Sequence, residues 1–337
     1  MKIVVDAFGG DNAPLEIIEG CVLAINKHKD LEIILTGATE EIKKILNGRE
    51  ERISIVDAKE IITNNDKPTE AIRHKTDSSL VKAYDILKNQ EDVIGLVSAG
   101  STGAVLAGAI MKIGRIKGIT RPALAPILPT KLDSDVIIID SGANVDCKPV
   151  NLLHFALMGS AYYSIVYNKP SPRVALLNNG REEEKGNELV KEAFPLLKNA
   201  PINFIGNREG GDFMSGEVDV MVADGFAGNA LLKGTEGAVG AVLSLLKKSI
   251  KSHALSKIGA LFMKQTFNEL KNRIDILKKH GGSPLLGCKK LVVKNHGSCK
   301  RFNILSSIEQ TMLLHENKLI EKIENSLSLL EKAENND

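Results

Sequence analysis

The sequence predicts an α/β protein of three layers, with helices covering both faces of a largely parallel sheet. Three observations predict it. Short apolar runs ending in Gly, Asp or Asn recur along the chain, segments with apolar residues spaced by three and four lie between many of them, and polar turns follow the runs. The expected strands are Ile3 to Asp6, Ile33 to Gly37, Val93 to Ser98, Val136 to Asp140, Val174 to Asn178 and Val218 to Asp224. Helical spacing covers Leu15 to Ile25, Leu80 to Leu87 and Leu152 to Tyr163, and one or two further amphipathic helices are expected from about Ile304 to Glu334. No internal repeat or low-complexity linker divides the chain, although composition hints at a second lobe from near Pro122.

With 337 residues, 43% of them hydrophobic, the chain can bury one large core or two smaller ones. A formal net charge of +2 gives no broad field for nucleic acid, so none is expected as a partner. Cys21, Cys147, Cys288 and Cys299 show neither CxxC spacing nor a neighbouring histidine pair, which argues against a zinc site and a disulfide framework and points to a reducing cytoplasm. The chain enters Ile3-Val4-Val5 without a basic start, so no signal peptide is expected. Nor does any apolar run reach the roughly 18 residues that a membrane-spanning helix needs.

In a parallel sheet the turns after the strands gather at one edge, where ligands bind. Four such turns stand out: Asp6 to Asp11, Ser98 to Gly103, Asp140 to Asn144, and Asp224 to Asn229. In the second, Ser98, Gly100 and Thr102 open a small-residue helix whose N-terminus favours an anion, or else the glycines simply permit a tight turn. Arg73, His74 and Lys75 precede Ser78 and Ser79, supplying cations and hydroxyls for phosphate or a solvated basic surface. Asp140 and Asp224 each end a strand, with Asn144 and Asn229 close behind. Such an aspartate orients a reactant or a lysine, or it caps a helix. His296 follows the apolar run Leu291 to Val293 and is an anion donor, an acid or a structural histidine.

In their order, these turns resemble the PlsX family of acyl-acyl carrier protein:phosphate acyltransferases. The resemblance runs from Asp6-Ala7-Phe8-Gly9-Gly10-Asp11-Asn12-Ala13-Pro14 through Ala71-Ile72-Arg73-His74-Lys75, the Ser98 turn, Asp140-Ser141-Gly142-Ala143-Asn144 and Phe155-Ala156-Leu157-Met158-Gly159. It continues through Glu184-Lys185-Gly186-Asn187-Glu188, the Asp224 turn with Leu232-Lys233, Gly281-Gly282-Ser283-Pro284-Leu285-Leu286-Gly287 and His296-Gly297-Ser298. Ser101 replaces a common Asn and Ser283 a common Ala, which puts in doubt any role for an amide at position 101.

The resemblance implies the fold of isocitrate and isopropylmalate dehydrogenases, shared with phosphotransacetylases, and transfer of a long-chain acyl group from acyl carrier protein to inorganic phosphate for phospholipid synthesis. On that basis Arg73, Lys75, Ser78, Ser98, Gly100 and Thr102 are expected to bind phosphate. Asn229 and backbone near Gly225 are expected to face the thioester carbonyl, with Lys185, Asp140, Asn144, Asp224 and His296 orienting groups or managing protons. No cofactor or metal is assigned. Neither GxGxxG nor GxxxxGK[ST] occurs, which weakens a dehydrogenase reading. The rival enzyme is a short-chain phosphotransacetylase acting on acyl-coenzyme A, and the rival without catalysis is a membrane-attached scaffold for carrier protein.

One catalytic unit over residues 1–337 is expected, with a basic amphipathic hairpin inserted at 247–280. There Lys247, Lys248, Lys251, Lys257, Lys264, Lys271, Arg273, Lys278 and Lys279 meet only Glu269 and Asp275 as acids. Ile258, Leu261 and Phe262, then Phe267, Leu270, Ile274 and Leu277, recur at helical spacing, giving two helices joined near Gln265 and Thr266. Lys257, Leu261, Phe262, Lys264 and Lys271 are the expected contacts to an anionic membrane or acidic carrier protein. The other reading is a hairpin buried against a second copy. A homodimer, held peripherally at the membrane beside a membrane-bound glycerol-3-phosphate acyltransferase, is the assembly implied.

Overall fold

Two mostly parallel sheets form the body of this computed structural model, which describes residues 1–274 and 281–334. Asp275, Leu277, Lys278 and Lys279 of the expected hairpin lie outside the described residues, as does the side chain of Lys271.

The first sheet is built on β1 (Lys2–Asp6), flanked by β2 (Glu32–Gly37) and β4 (Val93–Ser98), with β3 (Ile53–Asp57) beyond β2. Ile3, Val4 and Val5 are buried on both faces, as continuous apolar runs in a parallel sheet require. The strand order is β3-β2-β1-β4, completed by β12 (Leu291–Lys294), β11 (Ser283–Leu286) and β5 (Ala123–Leu124). β12 runs parallel to β4 and places Lys294 beside Ser98, while β11 runs antiparallel to both β12 and β5.

On one face lie α1 (Leu15–Lys27) and α11 (Arg301–Glu316), packed through Ile17, Ile18, Cys21, Ile304 and Ile308. The other face carries α3 (Pro68–His74), α4 (Ser79–Asn89) and α5 (Thr102–Gly108), around Ile72, Leu80 and Tyr84. A further helix, α2 (Thr39–Leu46), links β2 to β3.

The second sheet has the order β6 (Ile127–Pro129), β7 (Asp135–Ile139), β10 (Val220–Val222), β8 (Val174–Asn178) and β9 (Phe204–Glu209), with β6 alone antiparallel. Against it packs α6 (Pro149–Val166), apolar on most of its circumference, because it is enclosed by the sheet, α7 (Glu188–Lys198) and α12 (Leu319–Glu334). The α/β layering expected from sequence is therefore present, with the strands divided between two sheets. The division falls at the segment 123–129, which leaves the first sheet as β5 and enters the second as β6.

Beyond the body runs an arm. α8 (Gly225–Ser252) buries only Gly225 and Gly228, and it is followed by α9 (Ala254–Phe262) and α10 (Lys264–Ile274). Among the described residues the chain breaks at His253 and again at Met263, giving three helices where the sequence suggested two, and the second break lies slightly ahead of Gln265 and Thr266. α10 returns to the body through Arg273, whose guanidinium donates to the carbonyl oxygens of Leu132 and of Ser134, the latter at 3.0 Å. Among the described residues no helix is long and apolar enough to cross a membrane.

The ends of the chain are tied by Glu16 of α1, which accepts from the Arg301 backbone N–H at 2.9 Å and from the guanidinium at 3.0 and 2.6 Å. This bidentate grip holds the Glu16 carboxyl down at about 2. Because the folded value lies below the unfolded one, its stabilisation is present above about pH 4.5 and is lost as pH falls towards 2. Glu16→Gln is therefore expected to unfold earlier than wild type at neutral pH. The gap between their denaturation midpoints should close across that acid window, as followed by circular dichroism.

Candidate functional site

The strand order reverses between β1 and β4, so the turns after these strands face each other at the carboxyl edge. Asp6, at the end of β1, is buried and accepts from the Ser98 hydroxyl at 2.7 Å. Burial pushes its carboxyl up, against hydrogen bonds from Ser79 and Ser98 that hold it down. The Gly100 N–H donates to Ser98 Oγ at 3.0 Å. A methyl group on Gly9 would lie 2.5 Å from the Asp6 carboxylate and 2.7 Å from the Gly100 nitrogen, so only glycine lets the turns touch backbone to backbone. Ser101 caps α5, its hydroxyl accepting from the Ala104 N–H at 3.3 Å, and Thr102 begins that helix.

The matching turn of the second sheet is organised by Asp140. Its buried carboxylate accepts from the Leu124 N–H at 2.9 Å, the Ala143 N–H at 3.2 Å, and Asn144 through both backbone N–H at 2.6 Å and side-chain amide at 3.0 Å. Burial pushes this carboxyl up too, and the four bonds oppose the shift. Asn144 spends its amide on Asp140 and on the Pro122 carbonyl at 2.7 Å. Asp224 caps α8 by accepting from the Ala227 N–H at 2.8 Å, and the Gly225 N–H donates to the Asn144 carbonyl at 2.7 Å.

Between the two edges opens a cleft of about 350 Å³. Leu124, Pro126, Ile127 and Leu128 form its apolar floor, and Thr102, Asn229, Lys233, Ser283, Lys294 and His296 supply polar groups. Of the residues singled out in the sequence, Thr102, Asn229 and His296 line it together. Ser98, Gly100, Asp140, Asn144 and Asp224 shape the turns that carry them. Arg73 is exposed on the last turn of α3, Lys75 is held by Asp66 at 2.8 Å and the Ile61 carbonyl at 3.0 Å, and Ser78 caps α4 through the Val81 N–H at 3.4 Å. Lys185 is exposed in the loop after β8, where its carbonyl accepts from Asn178 at 3.0 Å. These four do not line the cleft.

Asn229 lies against Gly142, its carboxamide carbon and oxygen 3.5 Å from where a methyl group on that glycine would sit. His296 Nδ1 lies 2.8 Å from Ser298 Oγ and accepts from the Ser298 backbone N–H at 3.3 Å, contacts that suit the neutral ring with its proton on Nε2. Partial burial, Lys233 and Lys294 push the imidazole pKa down, so the neutral, donor form is favoured.

Sequence reading gave no role to Lys294 or Glu236, and met Ser283 only as a departure from the family's common Ala. The signal available for Lys294 was a lysine ending the apolar strand Leu291-Val292-Val293, at the edge where ligands gather.

A family model described as "Fatty acid synthesis protein" matches residues 1–322. A protein of Clostridium tetani named phosphate acyltransferase is 47% identical over 98% of this chain and 99% of its own. One of the same name from Thermoanaerobacterium thermosaccharolyticum is 47% identical over 98% of each. The solved structure of a phosphotransacetylase from Streptococcus pyogenes superposes with a TM-score of 0.60 at 16% identity, over 95% of this chain and 94% of that one, a likeness of fold.

The first turn of α8 sits on the Asp140 turn through two glycines. A methyl group on Gly228 would collide with the Asp140 carbonyl oxygen, and one on Gly225 would lie 2.7 Å from the Asp140 carboxylate. Since backbone cannot swing aside as a side chain can, Gly228→Ala is expected to lower stability by about 1–3 kcal/mol. It should also displace Asn229, so that turnover falls further than in a surface control such as Gly211→Ala, where a methyl group would meet nothing within 4 Å and the backbone is not left-handed. Urea denaturation and turnover of the two variants check this.

Proposed function

The chain belongs to the fatty acid synthesis protein family, and on that premise we propose that the cleft between its two sheets is where an acyl thioester meets inorganic phosphate. It is a phosphate acyltransferase, an enzyme that moves an acyl group onto phosphate in lipid synthesis. The observation that carries the location is the convergence of Asn229, His296 and Thr102 on one cleft with an apolar floor.

A phosphate oxygen attacks the carbonyl carbon of the thioester, the carbon–oxygen bond forms, the carbon–sulfur bond breaks, and the thiolate departs with the proton given up by phosphate. The products are acyl phosphate and a free thiol. Phosphate is nucleophilic enough to act directly, so the protein's task is to hold the reactants together and stabilise the oxyanion. The Asn229 amide and the Nε2–H of neutral His296 are the proposed donors to that oxyanion. Leu124, Pro126, Ile127 and Leu128 receive the start of the acyl chain. Asp140 and Asn144 position the loop against which Asn229 rests, and Asp224 positions the helix that carries it. Thr102 and the N-terminus of α5 face the phosphate, while Arg73, exposed on α3 outside the cleft, attracts phosphate by its charge. Lys185 is assigned to contact with the thioester carrier, on the exposed loop after β8.

The proposed acyl donor is acyl carrier protein, an acidic partner suited to the lysines of the arm. Leu261 and Phe262 at the junction of α9 and α10 are 74% and 87% exposed, between Lys257 and Lys264. Apolar side chains so placed favour a lipid surface, and the exposed Val242 and Leu245 on α8 favour a second copy of the chain. The arrangement proposed is a cytoplasmic homodimer that touches the membrane peripherally through the ends of its arms.

Incubating the protein with long-chain acyl carrier protein should release free carrier only when phosphate is added, with acyl phosphate as the second product. Release from acyl-coenzyme A alone would instead make it a phosphotransacetylase. Asn229→Ala is expected to lower kcat about 100-fold or more while leaving KM for phosphate nearly unchanged, as loss of an oxyanion donor does. Arg73→Ala should raise that KM only a few-fold. The double variant Leu261→Ser and Phe262→Ser should fail to float with anionic vesicles under conditions in which wild type floats.

A further inference from the structure

Lys294 closes β12 at the carboxyl edge of the first sheet, in register with Ser98 and lining the cleft. Its side chain is half-buried, and among the described residues it has neither a hydrogen-bond nor an ion-pair partner. Other lysines with restricted exposure here are engaged: Lys75 with Asp66, Lys82 with Asp77, and Lys112 with Asp85. An ammonium withdrawn from water without a counter-charge is costly, and the cost is recovered when an anion arrives. Lys233 of α8 lines the same cleft from the other side, with Glu236 accepting from it at 2.7 Å. Burial is the main cause that pushes the Lys294 pKa down; Cys299 opposes it, Lys233 adds to it, so the two cations feel each other's charge, and Asp11 opposes it in turn.

We propose that Lys294 and Lys233 form a two-cation clamp that binds the attacking inorganic phosphate as its dianion. This rests on the reading of the cleft as the acyl-transfer site and assigns its nucleophile subsite to residues from both halves of the molecule. Lys294 enters on a strand of the first sheet and Lys233 on the helix that leaves the second, so phosphate bridges the cleft when it binds. The dianion is the stronger nucleophile, and two positive charges favour it over the monoanion. Lys233 is partly neutralised by Glu236, so Lys294 carries the larger share of binding.

Inorganic phosphate alone, titrated against the whole protein in a thermal-shift experiment, separates this clamp from catalysis. Phosphate should raise the melting temperature of wild type, and Lys294→Met should abolish that rise while melting no lower than wild type in its absence, since an unpaired half-buried charge has been removed. In turnover, Lys294→Met should raise KM for phosphate roughly ten- to a hundredfold, the loss of one charge-assisted hydrogen bond. KM for the acyl donor should stay within about twofold, and Lys294→Arg should recover part of the phosphate affinity. If Lys294→Met keeps the phosphate-induced rise and the wild-type KM for phosphate, the clamp is wrong. It is equally wrong if the variant raises only KM for the acyl donor, for Lys294 would then meet the donor's own phosphodiester. Phosphate stabilisation of wild type that Lys294→Met loses, with no phosphate-dependent thioester cleavage, would uphold the clamp and overturn the acyl-transfer reading.

Discussion

The rest of the site depends on the carboxylate of Asp140. It gathers four N–H donors from Leu124, Ala143 and Asn144, and Leu124 belongs to the other sheet. A single buried side chain thus fastens the strand that crosses between the sheets to the turn that ends β7. The Ser141 N–H donates to the Leu124 carbonyl and the Ile138 N–H to that of Pro126, so the crossing segment is held along its length. Removing the carboxylate would strand several buried N–H groups at once, a larger loss than that of one hydrogen bond. What lines the cleft above, from Leu124 to Leu128 and from Ser141 to Gly142, is therefore fixed relative to both halves.

Much of this was legible in the sequence because it is local. Apolar runs such as Ile3 to Asp6 and Val93 to Ser98 became central strands, and the turns that follow them came to one edge. The choice between a reacting aspartate and a helix cap is different in kind. Asp224 caps α8 through the Ala227 N–H, a bond that sequence permits without requiring. For Lys75, charge suggested an anion, yet Asp66 in the preceding loop reaches it first. Lys294 went unmarked because its lack of a partner is a fact about everything around it. The division into two sheets was hidden for the same reason, since β11 and β12 join the first sheet only after the chain has built the second. The arm's break at His253 likewise lies within a stretch whose apolar spacing continues on both sides.

A phosphotransacetylase from Streptococcus pyogenes shares this fold at 16% identity, so the scaffold accommodates very different sequences. In this chain two carboxyl edges flank one cleft, each contributing turns with short polar side chains. Beside that cleft begins an arm of exposed apolar and basic residues, since α8 lines it with Asn229 and Lys233.

The late return of β12 has a consequence for the order in which the molecule is made. Val97 of β4 pairs with Val293, and nearly two hundred residues of chain, including the whole second sheet and the arm, are synthesised between them. As the protein emerges from the ribosome, β1, β2, β3 and β4 can assemble early, but β4 then presents an open row of N–H and C=O groups until Leu291 to Lys294 arrive. Such an unpaired apolar edge is where nascent chains associate with one another, and closing it across so long a separation is slow. The nascent polypeptide therefore carries a sticky seam through most of its translation, and the last strand to be made is the one that seals it.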